Sequence, residues 1–486
     1  MREVVADWNQ TTITCRIPPE LLAVCFAFLS LNGLLTVTRV CQCWRMTALA
    51  TPGLWGTLTF DLDRYANENM LGLAVSRAGR VPLDYSFSVV HSAKTDALAR
   101  ALAEFMQRTR RISWTIPGTP EFLLQAAPVL ESFSCTLTDP IPSDLFGGTA
   151  GRLRTLDVQG LRLPETCPAL STVTTLRARL GPRNRRDEAE ALVHLFAVCP
   201  LLEHLELSDL AETHLLPLPA RAPTRLRTLI LRMYSLDTSD IMRYLCVWGP
   251  VNPHLSRVRM DMALNLRDAA PIFEDAEVLS VSQHSGCSAH ASIETTSARG
   301  RECTVVMRHL SYIAYDTVSR ALAGAVQANS AQLGRLRALS APVTVLDALL
   351  NPPPALPALS ALTVLVEKWA PELPIAVQMT HGEGCGSQFA SGSLAFLLNT
   401  QDMALANIDI VASTSAGSLE ESGVDRLLDT LTMSLPLRPQ EHEVVVVVRG
   451  FRRELVADVV LPRIEGYSIS LEAHEHSGDP SRLRMT

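Results

Sequence analysis

Cys199-Pro200-Leu201-Leu202-Glu203-His204-Leu205-Glu206-Leu207 sets leucines at 202, 205 and 207, and this L-x-x-L-x-L spacing recurs along the chain. Leu205 and Leu207 fall on one face of an extended segment, because side chains alternate along a strand. Leu153-Leu156-Val158, Leu226-Leu229-Leu231, Leu255-Val258-Met260 and Leu359-Leu362-Val364 keep the template, and Leu130-Phe133-Cys135 and Val173-Leu176-Ala178 keep it loosely. From position 130 the intervals are 23, 20, 29, 24 and 29 residues. A period of this kind marks stacked units, each pairing a short strand with a return arm and each too small to bury its apolar face without neighbours.

The clearest arm is Arg186 to Cys199, where Ala189, Leu192, Leu195 and Phe196 stand at helical spacing. The intervals match leucine-rich repeats. The asparagine that often completes such a repeat is missing throughout, so an irregular array is expected. An α/β domain with buried alternating strands fits the same pattern. The polar stretches His284 to Arg301 and Thr380 to Ser393 read as loops, and Asn351-Pro352-Pro353-Pro354 as a break. Glu443–Val448, Val456–Leu461 and Tyr467–Leu471 read as closing strands. Spacing alone does not assign the outward residues, since a slip of one position exchanges the two faces.

Upstream, the segment from Ile17 to Trp55 reads as three short helices. Pro18 and Pro19 suit a first helical turn, where a missing N–H has no intrahelical acceptor, and Glu20 sits at the positive helix end. Leu22, Cys25, Phe26 and Leu29 follow as one apolar stripe, which Leu21 and Phe28 widen beyond what one packing surface requires. Ser30 is the expected N-cap of a second helix with Leu34, Val37, Cys41 and Trp44 inside. Gly33 stands where a capping box wants an acid, which costs about 1 kcal/mol relative to a good helix former. So small a helical unit needs a partner or a following domain.

At these residues the chain resembles an F-box. Ile17, Pro18 and Glu20 match the opening of the family pattern, and Leu21, Leu22, Phe26, Leu29, Leu34, Leu35, Val40, Cys41, Trp44 and Arg45 follow in register without a gap. Thr51-Pro52-Gly53-Leu54-Trp55 with Leu58-Thr59-Phe60-Asp61 resembles the tail common in fungal F-box proteins, and Cys199 to Leu207 resembles a phrase of the repeat-bearing ones. The resemblance implies docking onto the Skp adaptor of a cullin–RING ubiquitin ligase, through Ile17, Pro18, Glu20, Leu21, Leu22, Phe26, Phe28, Leu29, Leu34, Leu35, Val40, Cys41 and Trp44. The repeats would then select a protein substrate. The alternative is a repeat scaffold that never joins a ligase.

Composition agrees with a folded, non-catalytic chain. Of 486 residues, 47% are hydrophobic and 19% charged; 43 basic and 50 acidic side chains give a net charge of −7, which favours a protein partner over nucleic acid or an anionic membrane. Only Lys94 and Lys368 are lysines, and neither follows a glycine, so no P-loop exists. Eleven scattered cysteines fit a reducing compartment. No signal peptide is expected, because Arg2, Glu3 and Asp7 interrupt the start, and no apolar run is of membrane-spanning length. A cytoplasmic or nuclear location follows. His381-Gly382-Glu383-Gly384-Cys385 lacks the further ligands of a zinc site, His474 and His476 make two ligands at most, and no nucleophile or dinucleotide motif occurs. No catalytic residue, metal or cofactor is predicted. The arginine groups Arg108, Arg110, Arg111 and Arg183, Arg185, Arg186 read as exposed charge between repeats.

The expected fold is therefore α/β: a three-helix F-box and an irregular leucine-rich-repeat solenoid. Residues 1–14 are a disordered tail, 15–60 the F-box, 61–115 a transition segment, 116–472 the substrate-binding repeats and 473–486 a frayed tail.

Overall fold

The computed structural model describes residues 17–61, 68–88, 95–115, 120–137, 139–148, 151–180, 194–210, 224–233, 254–262, 270–284, 290–307, 315–351, 353–366, 405–412, 444–451 and 467–473, with isolated positions between 394 and 461. The chain divides into two compact units, one of Met1–Met233 with Val247–Leu255, the other of Tyr234–Cys246 with Ser256–Thr486. Both are mixed α/β.

The first unit opens with helices α1 (Pro19–Phe26), α2 (Leu31–Val40), α3 (Gln42–Ala50) and the single turn α4 (Gly53–Gly56). Then come β1 (Thr57–Asp61), α5 (Glu68–Ala78), β2 (Leu83–Ser88), α6 (Thr95–Ala103), β3 (Thr109–Trp114), β4 (Ser132–Thr136), β5 (Thr155–Gln159), β6 (Thr175–Arg179), α7 (Leu195–Val198), β7 (His204–Leu210) and β8 (Thr228–Met233). Each strand pairs in parallel with the next in sequence. The return arms before β4, β5 and β6 contain 3₁₀ turns. No described pairing closes the sheet.

Register explains the sequence spacing. Tyr85, Ile112, Phe133, Leu156, Leu176, Leu205 and Leu229 align across β2 to β8, and so do Phe87, Trp114, Cys135, Val158, Ala178, Leu207 and Leu231. Both rows are buried, as are the leading residues Leu130, Leu153, Val173, Leu202 and Leu226. Each buried leucine contributes about 1.5–3 kcal/mol, and contact across the row makes every strand depend on its neighbours.

Segment 61–115 is not a bare transition. It carries α5, β2, α6 and β3, and the sheet itself starts at Thr57, inside the segment assigned to the helices. Aromatic side chains hide the pattern there: Tyr85, Phe87, Trp114 and Phe122 form a chain of ring contacts with centroids 6.2, 5.5 and 5.1 Å apart. The second helix is also shorter than its apolar spacing implied. Cys41 is extended at φ −153° and ψ 169°, ending α2 and capping α3 with its Sγ, which accepts from the Trp44 N–H at 3.5 Å.

The second unit contains β9 (Arg257–Met262), α8 (Ala270–Phe273), β10 (Ala276–His284), β11 (His290–Ser297), β12 (Glu302–Met307), α9 (Tyr315–Ala328), β13 (Ala338–Pro342), α10 (Val343–Leu349), β14 (Ala361–Val366), β15 (Asn407–Ala412), β16 (Val444–Phe451) and β17 (Tyr467–Ala473). Pairing runs β9-β12-β11-β10-β13 and then in sequence to β17, with β11 antiparallel to both neighbours. The stretch from His284 to Arg301, expected as a loop, thus contains a strand. Ala291, Ile293 and Thr295 point inward while Glu294 and Thr296 are exposed, and Ser292, itself buried, meets the Ser282 hydroxyl at 2.7 Å, so polar composition concealed the strand. Thr295 sits in the buried row and donates its hydroxyl to the Ile272 carbonyl at 2.9 Å.

The break after Asn351 is present, and β16 and β17 stand where closing strands were expected. Positions 1–14, 186–193, 380–393, 456–460 and 474–486 lie outside the described residues.

Candidate functional site

Helices α1 to α3 are held from within by few side chains. Leu22 and Phe26 of α1, Leu31, Leu34 and Val37 of α2 and Ala48 of α3 are buried. Phe26 meets the Trp44 ring edge-on, with centroids 5.4 Å apart and planes at 62°. Ser30 caps α2 by accepting from the Gly33 N–H at 3.4 Å. Trp55, fully buried, donates its indole N–H to the Ala48 carbonyl at 2.8 Å, and its own carbonyl accepts from the Tyr85 hydroxyl at 3.2 Å. Those two bonds fix the helices to β2.

The thirteen residues expected at a docking surface separate into three groups. Pro18, Glu20, Leu21, Phe28, Leu29 and Val40 are exposed, with Leu21 at 56% and Phe28 at 86%. Ile17, Leu35, Cys41 and Trp44 are half-buried. Leu22, Phe26 and Leu34 are internal and touch no partner directly in this arrangement; they position the outer residues. The stripe read as Leu22, Cys25, Phe26 and Leu29 therefore has only two inward members, since Cys25 and Leu29 face solvent. Val24, Met46 and Leu49 were not singled out by the sequence, yet they are exposed at 58, 60 and 37%. Their signal is the negative one: they fall off the inward positions of α1 and α3.

Seven of the eleven large apolar side chains that are exposed among the described residues lie between Leu21 and Leu49. This concentration of exposed apolar side chains on one segment makes it the candidate interaction surface.

The outward faces of the sheets carry charged side chains among apolar ones such as Ile230 and Val445. In the first unit Asp157, Arg177, Glu206 and Ile230 align across β5 to β8, and Glu206 accepts from Arg232 at 2.8 Å and from Arg177 at 3.5 Å. Burial raises the pKa of Asp157, opposed by Arg177. Burial lowers that of His204, aided by Arg177. In the second unit Arg257 binds Glu302 at 3.0 Å, and Arg449 binds Glu472 at 3.0 Å. These faces are crossed by paired charges of both signs. Of the arginines singled out by sequence, Arg110 is tied to Asp84, Arg108 donates to the Val81 carbonyl at 3.2 Å and Arg111 is exposed; Arg183, Arg185 and Arg186 lie outside the described residues.

Among the described residues no three His, Cys, Asp or Glu side chains gather as metal ligands, and no helix is long and apolar enough to cross a membrane. His381 to Cys385, His474 and His476 lie outside them. Burial raises the thiol pKa values of Cys135, Cys199 and Cys303, the last two to about 12. No protein-family model matches the chain, and comparison with curated proteins finds no match.

Proposed function

We propose that this chain is the substrate receptor of a cullin–RING ubiquitin ligase. Its F-box helices α1 to α3 dock the Skp adaptor, and its stacked strands form a leucine-rich solenoid whose outward face takes a protein substrate. The receptor does no chemistry itself; it raises the effective concentration of a substrate lysine near the charged conjugating enzyme. One observation carries the reading: the concentration of exposed apolar side chains between Leu21 and Leu49, on the same segment whose spacing resembles an F-box. Parallel pairing of β1 to β8 in strict sequence order supports the solenoid.

The test is capture of a purified Skp adaptor by the full chain, compared with a Leu21→Asp, Phe28→Asp double variant. Both positions are more than half exposed, so the substitutions leave the fold intact. Capture by the wild type alone supports the reading. No capture by the wild type leaves a repeat scaffold outside any ligase.

A further inference from the structure

Arg77 on α5 is half-buried, with its guanidinium carbon 4.4 Å from the centroid of the Trp55 ring. Four arginines carry a buried nitrogen without a hydrogen-bond acceptor: Arg77, Arg108, Arg232 and Arg449. The other three each have an oxygen partner, Arg108 in the Val81 carbonyl, Arg232 in Glu206 and Arg449 in Glu472, which lies 3.0 Å from its Nε. Among the described residues Arg77 has the Trp55 ring and no hydrogen-bonded or ion-paired oxygen. Burial lowers its pKa, and a second cation, Arg45 of α3, adds to the effect. Arg45 is exposed and likewise has no carboxylate partner among the described residues. The link between the two is physical, since the ring beneath Arg77 is bonded to Ala48, three residues after Arg45 on the same helix.

A half-buried guanidinium with no acceptor beside a second cation is unfavourable in the free chain. A carboxylate set against the accessible N–H groups of both relieves them at once, because each guanidinium donates to a charged acceptor. Met46 and Leu49 of α3 are exposed next to Arg45 in sequence. The occupant therefore joins an acidic side chain to an apolar surface, a combination that a protein provides and a free anion does not.

Building on the docking role of α1 to α3, we propose that the adaptor presents an aspartate or glutamate to Arg45 and Arg77, flanked by apolar contacts on Met46 and Leu49. The pair makes docking selective for an acidic partner surface.

The experiment titrates purified Skp adaptor into the full chain at several salt concentrations, using wild type, Arg45→Glu, Arg77→Met and the Leu21→Asp, Phe28→Asp variant, with thermal midpoints for each. Arg77→Met keeps an unbranched stem for Trp55. Arg45→Glu is expected to weaken binding on the order of tenfold or more and to flatten its salt dependence, with a midpoint that does not fall, since the change also removes the repulsion on Arg77. Arg77→Met is expected to weaken it similarly. Wild-type affinity and salt slope in both arginine variants, with capture still lost in the Leu21 and Phe28 variant, overturns this proposal and leaves adaptor docking standing. A lowered midpoint with unchanged affinity overturns it too, because the carboxylate is then internal. Failure of the wild type to bind removes both, since the occupant named here is the adaptor.

Discussion

The hydroxyl of Tyr85, on the second strand, donates to the backbone carbonyl of Trp55 at 3.2 Å, while the Trp55 indole N–H reaches back to Ala48 at 2.8 Å. Trp55 is fully buried and so couples α3 to β2 through both of its polar ends. Loss of the ring leaves a cavity and strands the Ala48 carbonyl. Trp55→Ala is expected to destabilise the chain by about 3–5 kcal/mol, and the helices lose their fixed position on the sheet. Denaturant unfolding measures the first effect; faster proteolysis within residues 17–56 reports the second.

Tyr85 also predicts an alkaline transition. Burial raises its pKa above the ordinary value near 10, so the folded state holds the proton more tightly than the unfolded state. Its contribution is complete below about pH 10 and is lost as pH rises beyond that, when only the unfolded chain ionises readily. Comparing wild type with Tyr85→Phe between pH 8 and 11 isolates the effect. Wild-type stability should fall relative to the variant above about pH 10; parallel curves contradict the assignment.

Gly160, just after β5, has φ +80°, and a Cβ built there would stand 2.5 Å from the Leu137 carbonyl oxygen. That carbonyl is backbone and has no rotamer in which to move aside. The Gly160 N–H also donates to Arg179 at 2.8 Å, tying the turn to β6. Gly160→Ala combines positive-φ strain with a backbone clash and is expected to cost about 2 kcal/mol or more. An unchanged unfolding midpoint in that variant contradicts the geometry.

Gly33 shows where spacing and structure part. As a residue inside a helix it reads as a missed opportunity for an acidic capping-box residue. In the structure a Cβ at Gly33 would approach the Leu29 Cβ to 3.0 Å, so the glycine admits a close turn between α1 and α2. Gly33→Glu should therefore fail to deliver the roughly 1 kcal/mol that helix propensity alone promises, a point settled by its unfolding midpoint. The same contrast runs through the fold. Leu205 and Leu207 announced their strand because leucine repeats at fixed spacing, whereas Tyr85, Phe87 and Trp114 fill equivalent positions with residues the template does not contain. Leu405, Ile408 and Ile410 kept the spacing with isoleucine and went unread, yet they are buried alongside β15. Order of pairing was beyond the sequence too, since nothing in the spacing states that β11 and β12 lie between β9 and β10. At the candidate site, the spacing brought out Leu21 and Phe28 through their apolar excess and missed Met46 and Leu49, whose exposure depends on how α3 turns after Cys41.

The thiols give a chemical test of burial. Cys199 and Cys303 are buried and their pKa values are pushed up to about 12, and that of Cys135 is raised as well, in each case chiefly because the interior disfavours a thiolate. The thiolate is the nucleophile, so at pH 7.5 these three sites hold almost none of the reactive form and no path to reagent. Cys25 on α1 is exposed beside the apolar side chains of the candidate surface. A brief pulse of iodoacetamide on the native chain, read by mass spectrometry of its peptides, should modify Cys25 and spare Cys135, Cys199 and Cys303; all four react once denaturant is added. On the proposed docking role, added Skp adaptor should protect Cys25 without altering the other three; unchanged Cys25 labelling in its presence contradicts that role. Early labelling of Cys199 or Cys303 in the native chain would show that the stacked rows around Leu205 and Val305 open on the timescale of the pulse, and that the core is looser than its packing implies.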